Sequence, residues 1–276
     1  MSARIFECVP NISEGRVSRT LNLCVSAVER CGARVLHRTS DAAHNRSVLT
    51  IAGERRQVLD ASIVLAEIAL DRIDLRRHGG LHPRMGALDV LPFVPLGSAT
   101  MAEAVALAHE AGAQIWERFR IPSYYYGEAA LRPERRLLAD VRPKPSGPPD
   151  IGDVAMHERA GAIAIGARDV LVAFNVDLAT GDLGVARHIA RLIRERHGGL
   201  RSLRALAFQL RDDVVQVSLN VTDERATPLY RVVEIIRALA AERGVEVRRS
   251  ELIGCIPLAA VQSAALYALG VEDRSV

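Results

Sequence analysis

Aromatic side chains are scarce in this chain: five Tyr, five Phe and one Trp among 276 residues, or 4%. So few rings leave little with which to stack bases, and the net charge of +3 is mild. The arginines are spread along predicted helices, so nucleic acid is not an expected partner. Long uncharged apolar runs are also missing. The first residues, MSARIFECVPN, place Arg4 and Glu7 where a signal peptide needs an apolar core. No membrane partner is expected, and a cytoplasmic location fits. The four cysteines (Cys8, Cys24, Cys31 and Cys255) show neither framework nor CxxC spacing, which suits reduced, mostly buried thiols. Only Cys8, close to the turn at 11–15, stays open as a reactive group. With no HExxH helix either, no metal is expected.

What is present concentrates in residues 77–96, RHGGLHPRMGALDVLPFVPL. His78 and His82 sit in a glycine-rich turn that feeds a predicted buried strand at 88–94. Pro83 confines His82 to extended backbone, so the imidazole is presented from a stiffened loop. Gly79, Gly80 and Gly86 permit positive φ or a close approach. Arg84 lies two residues past His82, and alternation projects both toward one face. Imidazole, guanidinium and the Asp89 carboxylate in one short segment suit a reaction centre for an anionic substrate. The alternatives are a packed turn with a surface histidine, or a metal site that would need further ligands.

Hydrophobic patterning predicts strands at 4–9, 34–39, 46–52, 88–94 and 121–126, with helices at 17–30, 55–73 and 99–119. Residues 141–153, rich in Pro and Gly, read as a linker. The second half restarts with a strand at 170–177 and a helix at 183–197 ended by Gly198–Gly199. Strands at 202–210 and 214–221, a helix at 228–243, a strand at 245–249 and a helix after Pro257 follow. The order β-α-β-β-α-β is ferredoxin-like. The expected fold is two α/β subdomains, 1–168 and 169–276, with mixed sheets covered by helices and a ligand cleft between them.

Other segments divide between structural and functional readings. Asn11, Ser13 and Glu14 either cap a helix or contact a ligand. Asp41, Asn45 and Arg46 join two strands and either close a turn or face a cleft. Of Tyr124, Tyr125 and Tyr126, alternation buries one set, with core packing expected for two of the three. Glu128, just past that strand, is a candidate for a cation or amide. Asn175 ends a strand where polar groups often face a cleft. Gln216, Ser218 and Asn220 share one sheet face.

Taken together, CVPNISEGR, HNRSVLT, HGGLHPRMGALDVLPFVPL, YYYGEAA, GARDVLVAFNVDL, VVQVSLNVTD and SELIGCIPL resemble the glutamate formiminotransferase family, in the family's order and across nearly the whole chain. The resemblance implies two α/β subdomains, usually in a homodimer, with folate bound between them. It implies transfer of a formimino group from N-formiminoglutamate to N5 of tetrahydrofolate, a co-substrate. It places the catalytic histidine on His82. The folate-binding stretch falls on Gly152, Asp153, Val154, Ala155, Met156, His157, Glu158, Arg159, Ala160 and Gly161. Arg84 and Arg46 are inferred from charge as clamps for substrate carboxylates. Asp41, Asp89 or Glu128 would face the cationic amidinium or the pterin edge. Because Leu81 and Ala43 replace carboxylates common in relatives, another formyl or formimino donor, or folate binding without transfer, stands as the alternative. A metal-dependent amidohydrolase built on His78, His82 and a carboxylate is the third reading.

Overall fold

A computed structural model describes residues 4–42, 44–80, 84–142, 147–153 and 155–271. His82, Leu81, Ala43 and Val154 lie outside the described residues. The chain divides into two compact units, 1–169 and 170–276.

The first unit runs β1 (Arg4–Cys8), β2 (Asn11–Ile12), α1 (Ser18–Arg30), β3 (Arg34–Asp41), β4 (Arg46–Glu54) and α2 (Arg55–Arg72). It continues with β5 (Leu88–Gly97), α3 (Met101–Phe119), β6 (Ser123–Gly127), the short α4 (Leu138–Val141) and β7 (Ile163–Ala167). Its seven-stranded sheet places β4 between β3 and the pair β1 and β2, then β5, β7 and β6. β1 and β2 form one strand broken at Pro10, which has no N–H to give; its carbonyl still accepts from Leu49. β5, β7 and β6 are mutually parallel, while the remaining pairings are antiparallel.

Helices α1, α2 and α3 cover one face of this sheet. α2 is wedged between the other two, so Val58, Leu59, Ile63, Leu65 and Ile68 are buried together with Ala61, Ala66 and Ala69. α3 starts at a capping box in which the Thr100 amide donates to Glu103 and the Glu103 amide donates to Thr100 Oγ1. The opposite face is also covered where β5, β6 and β7 meet. There Met85, Val90, Tyr124, Tyr126, Ala162 and Ala164 close over Val141.

That second layer corrects two sequence readings. All three tyrosines are buried, because both faces of β6 are covered: Tyr125 toward the helices, Tyr124 and Tyr126 toward Val141. The Pro- and Gly-rich segment is no joint between units. Its Asp150 carboxylate, 2% exposed, accepts from the Tyr125 amide and pairs with Arg135 at 2.7 Å. Arg135 is itself fully buried, lies over the Tyr124 ring and donates to the Pro148 carbonyl. β7 escapes the sequence reading altogether. A strand buried on both faces has no alternation to read, and GAIAIGA is of that kind.

The second unit runs β8 (Val172–Leu178), α5 (Leu183–Ile193), β9 (Leu203–Arg211), β10 (Val214–Val221), α6 (Leu229–Ala241), β11 (Val247–Ile253) and α7 (Leu258–Ala268). Its antiparallel sheet has the order β11-β8-β10-β9, the ferredoxin-like arrangement. α5 and α6 bury Ile189, Ile193, Val232 and Ile236 against Val176, Val215, Val217 and Leu219. α5 stops at Ile193, short of the expected end. A 3-10 turn at Glu195–His197 follows, and Gly198 takes the left-handed conformation at φ 85°. On the sheet's other face the Asp177 carboxylate accepts from Gln216 at 2.8 Å and from Arg249 at 2.7 Å. Among the described residues no helix is long and apolar enough to cross a membrane.

Candidate functional site

The chain enters the histidine loop from α2 through a 3-10 turn, Leu75–Arg77, capped by the Asp74 carboxylate. It leaves into β5. The loop is fastened on both flanks.

On the entering side His78 is partly buried. Its Nδ1 accepts from Arg84 Nη1 at 2.5 Å, and Asn45 Nδ2 stands 2.8 Å from its Nε2. Burial first, and the Arg84 charge second, hold this imidazole below the ordinary histidine value, so the ring is neutral at pH 7. Asn45 also donates to the Gly79 carbonyl and accepts the Gly15 amide. It does so from a left-handed backbone at φ 48°, which Asn tolerates better than most residues. At Gly80 a Cβ would run into the His44 carbonyl and the Arg84 guanidinium.

On the leaving side the anchor is Asp89. Its carboxylate is fully buried and accepts from the Met85 amide at 2.8 Å and the Gly86 amide at 3.3 Å. Arg46 Nη1 at 2.6 Å and Arg142 Nη1 at 2.9 Å neutralise it. Burial alone would raise this carboxyl, but the two guanidinium groups outweigh it and hold the group ionised. Arg46 is further tied to Asn11 Oδ1 at 2.6 Å, and Ser13 Oγ donates to the Gly86 carbonyl. Two guanidinium groups on one carboxylate, with Arg84 close by, leave the cluster positive.

The stretch at 155–161 meets both flanks. It forms a tight turn in which His157 and Gly161 exchange backbone hydrogen bonds of 2.9 and 2.7 Å. Gly161, at φ 70°, lies so close to the Met85 carbonyl that no Cβ fits. The Leu75 amide donates to Arg159 O on the entering side. On the leaving side the Ala87 amide donates to Ala160 O, and the Ala162 amide to Met85 O. Arg76 adds an ion pair to Glu158 at 2.9 Å. Ala155 and Met156 remain exposed, and His157 Nδ1 accepts the Arg159 and Ala160 amides.

Of the residues singled out from sequence, Asn45, Arg46, Arg84, Asp89 and residues 157–161 come together here. Asp41 lies at the edge of the cluster, exposed, accepting from the His44 amide. Gly152 and Asp153 are exposed one turn earlier, where Gly152 packs on Trp116 and Pro122. Glu128 is not part of this network; it is exposed and paired with Arg136 at 2.8 Å. Asn175 belongs to the second unit, where its amide donates to Glu251 at 3.3 Å. Cys8 loses its reactive reading: complete burial pushes its thiol far up, so it stays protonated. Arg142 went unrecognised, because nothing in a proline-rich stretch signals a guanidinium returning to a buried carboxylate. Among the described residues no three His, Cys, Asp or Glu side chains group to hold a metal.

Comparison with known proteins bears on what this loop belongs to. Residues 5–168 match the formiminotransferase domain, N-terminal subdomain, and residues 173–276 match the formiminotransferase domain. A protein of Streptococcus pyogenes serotype M1 named glutamate formimidoyltransferase is 39% identical over 98% of this chain and 95% of its own length. One of the same name from Thermoplasma acidophilum is 40% identical over 96% of this chain and 92% of its own. The formimidoyltransferase-cyclodeaminase of Gallus gallus is 36% identical, over 98% of this chain but 53% of the longer protein. With both matched segments together covering nearly all of its length, the chain belongs to the formiminotransferase family.

Proposed function

We propose that the protein transfers the formimino group of N-formimino-L-glutamate to N5 of tetrahydrofolate, leaving L-glutamate and 5-formimino-tetrahydrofolate. The observation that carries this reading is the turn at 157–161, hydrogen-bonded to both flanks of the histidine loop. Two stretches distant in sequence, one implied to seat folate and the other to hold the catalyst, are thereby one structural piece.

The residues suit their parts. Exposed Ala155 and Met156 give the co-substrate an apolar edge, while His157 Nδ1 and a Glu158 carboxylate oxygen are engaged within the protein. In the reaction a bond forms from N5 to the amidine carbon and the bond to the glutamate nitrogen breaks, with one proton leaving N5 and another reaching the departing amine. His82 is assigned both transfers, since an imidazole titrating near neutrality can take a proton and return it. The positive cluster around Asp89 favours the dicarboxylate donor. Of the three carboxylates considered for its amidinium, Asp89 is held by two arginines, Glu128 by Arg136 and Asp41 by His44, and Asp41 is the one that lies at the edge of the loop's own cluster. A homodimer belongs to the same reading and is supported by the resemblance alone; a cytoplasmic location is supported by the four free cysteines.

The test is a spectrophotometric assay of the purified protein with both substrates, alongside His82→Ala. Turnover that disappears in the variant, with folate binding retained by calorimetry, is the expected result. Folate binding without turnover of any formimino or formyl donor would replace this reading with a binding role.

A further inference from the structure

Arg84 carries the charge expected of a substrate clamp, yet its geometry is turned inward. Its Nη1 donates to His78 Nδ1 at 2.5 Å and lies 3.3 Å from the Asn45 carbonyl, while its Nη2 donates to the His44 carbonyl at 2.9 Å. These acceptors belong to two separate segments. His78 is the entering flank of the histidine loop, and His44 and Asn45 are the β3–β4 turn. Arg84 itself sits on the leaving flank, one residue before the Met85 amide held by Asp89. A planar guanidinium holds its donors in a rigid fork over two separate terminal nitrogens, whereas an ammonium has all of its donors on one nitrogen. Gly80 completes the fit, since a side chain there would collide with the same guanidinium and the same His44 carbonyl.

We propose that Arg84 is a positioning residue: it fastens the two flanks of the histidine loop to each other across His78 and does not bind a substrate carboxylate. This rests on His82 being the catalyst, because a fastened loop matters only if what it carries must be aimed. No bond is made or broken by Arg84 in the reaction. The neutral His78 ring is the acceptor that lets the strap close, and a protonated ring would repel it. Besides Arg84, the charged groups acting on that ring are Glu14 and Arg16, and the Ser13 carbonyl bonds to it.

The experiment compares Arg84→Met and Arg84→Lys with the wild-type protein in full steady-state kinetics. His78 is followed by NMR titration of its imidazole. In Arg84→Met, kcat is expected to fall by about 100-fold, the cost of misplacing a catalytic group by an ångström or so. KM for the formimino donor should move by less than about 3-fold, since uniform substrate binding is intact. The His78 pKa should rise, because a neighbouring positive charge has gone, whereas in Arg84→Lys it should stay low while kcat is still reduced. Added methylguanidinium should recover part of kcat in Arg84→Met, which also shows that the variant is folded. A rise of about 10-fold or more in donor KM with kcat preserved would overturn the proposal and make Arg84 a substrate ligand. Failure of the underlying reading looks different: His82→Ala would then turn over normally, whatever Arg84 does.

Discussion

His78 and Arg84 meet across the turn that separates them, with Nδ1 and Nη1 2.5 Å apart. Arginine can only donate, so the ring nitrogen it meets is an acceptor, which a doubly protonated imidazolium does not offer. The contact joins the entering and leaving flanks of the histidine loop, and it depends on an uncharged imidazole.

That dependence gives a pH signature. The folded-state value of His78 lies below its ordinary 6.5. The unfolded chain therefore binds a proton first as pH falls. Its contribution to stability is complete above the unfolded value and is lost as pH drops from about 6.5 through the folded value. Denaturant unfolding of wild type and His78→Gln between pH 7.5 and 5 checks this. The wild-type midpoint should fall more steeply than the variant's, and parallel lines would remove His78 from the account.

The Asp89 cluster makes a second prediction. Asp89→Asn leaves Arg46 and Arg142 facing one another without a counter-charge in a buried site. Breaking such a network costs about 3–5 kcal/mol. Replacing Arg142 as well, in Asp89→Asn/Arg142→Met, restores the charge balance of the wild-type cluster. The double variant should recover about half of the lost stability in urea titrations, a coupling of about 1–3 kcal/mol for residues in contact. Simple addition of the two single effects would show that Arg142 is independent of Asp89.

Arg135 and Asp150 are a separate case, because they hold the proline-rich segment against the sheet and take no part in the loop. Arg135→Ala should lower stability by about 3–5 kcal/mol, because the buried Asp150 carboxylate loses the nearer of its two arginines and keeps only Arg132 at 3.7 Å, and because packing on Tyr124 is lost. Donor KM and kcat, measured well below the melting temperature, should stay within about 2-fold, since sites that share no partners usually act independently.

Gly161 couples the folate stretch to the loop. An alanine there meets both the positive φ and the Met85 carbonyl. Strain of about 1–3 kcal/mol is expected, relieved by a shift that the Met85 backbone must follow. Hydrogen exchange should show the peptide spanning 84–90 exchanging faster in Gly161→Ala, with kcat lowered. Unchanged exchange there would mean that the turn moves independently of the loop.

Much of this architecture was legible before any coordinates. The helices at 55–73 and 99–119 and the strands at 170–177, 202–210 and 214–221 are found within about two residues of their expected ends, whereas the strand expected at 245–249 runs on to Ile253. Gln216, Ser218 and Asn220 do share the face away from the helices, with Val215, Val217 and Leu219 in the core. What failed was information stored across the chain. β7 is apolar on both sides, so its residues show no period. Arg135 and Arg142 look like surface charges in a loop until their partners, Asp150 and Asp89, are brought to them by the sheet. The site divided in the same way. The loop with His82 and Arg84 could be picked out as a cluster, and the neighbourhood of Asn45 and Arg46 suspected. The direction in which Arg84 points is a property of the β3–β4 turn, 40 residues away in sequence.

Among the described residues, the anchors of the histidine loop are His78, Gly79 and Gly80 on one side and Arg84, Met85 and Gly86 on the other. A substitution of His82 therefore removes none of these bonds, while it changes the group the loop carries. For these anchors, holding the loop and supplying its reactive group are in this sense assigned to different residues, so a variant that abolishes the chemistry at His82 can leave the hold on the loop in place.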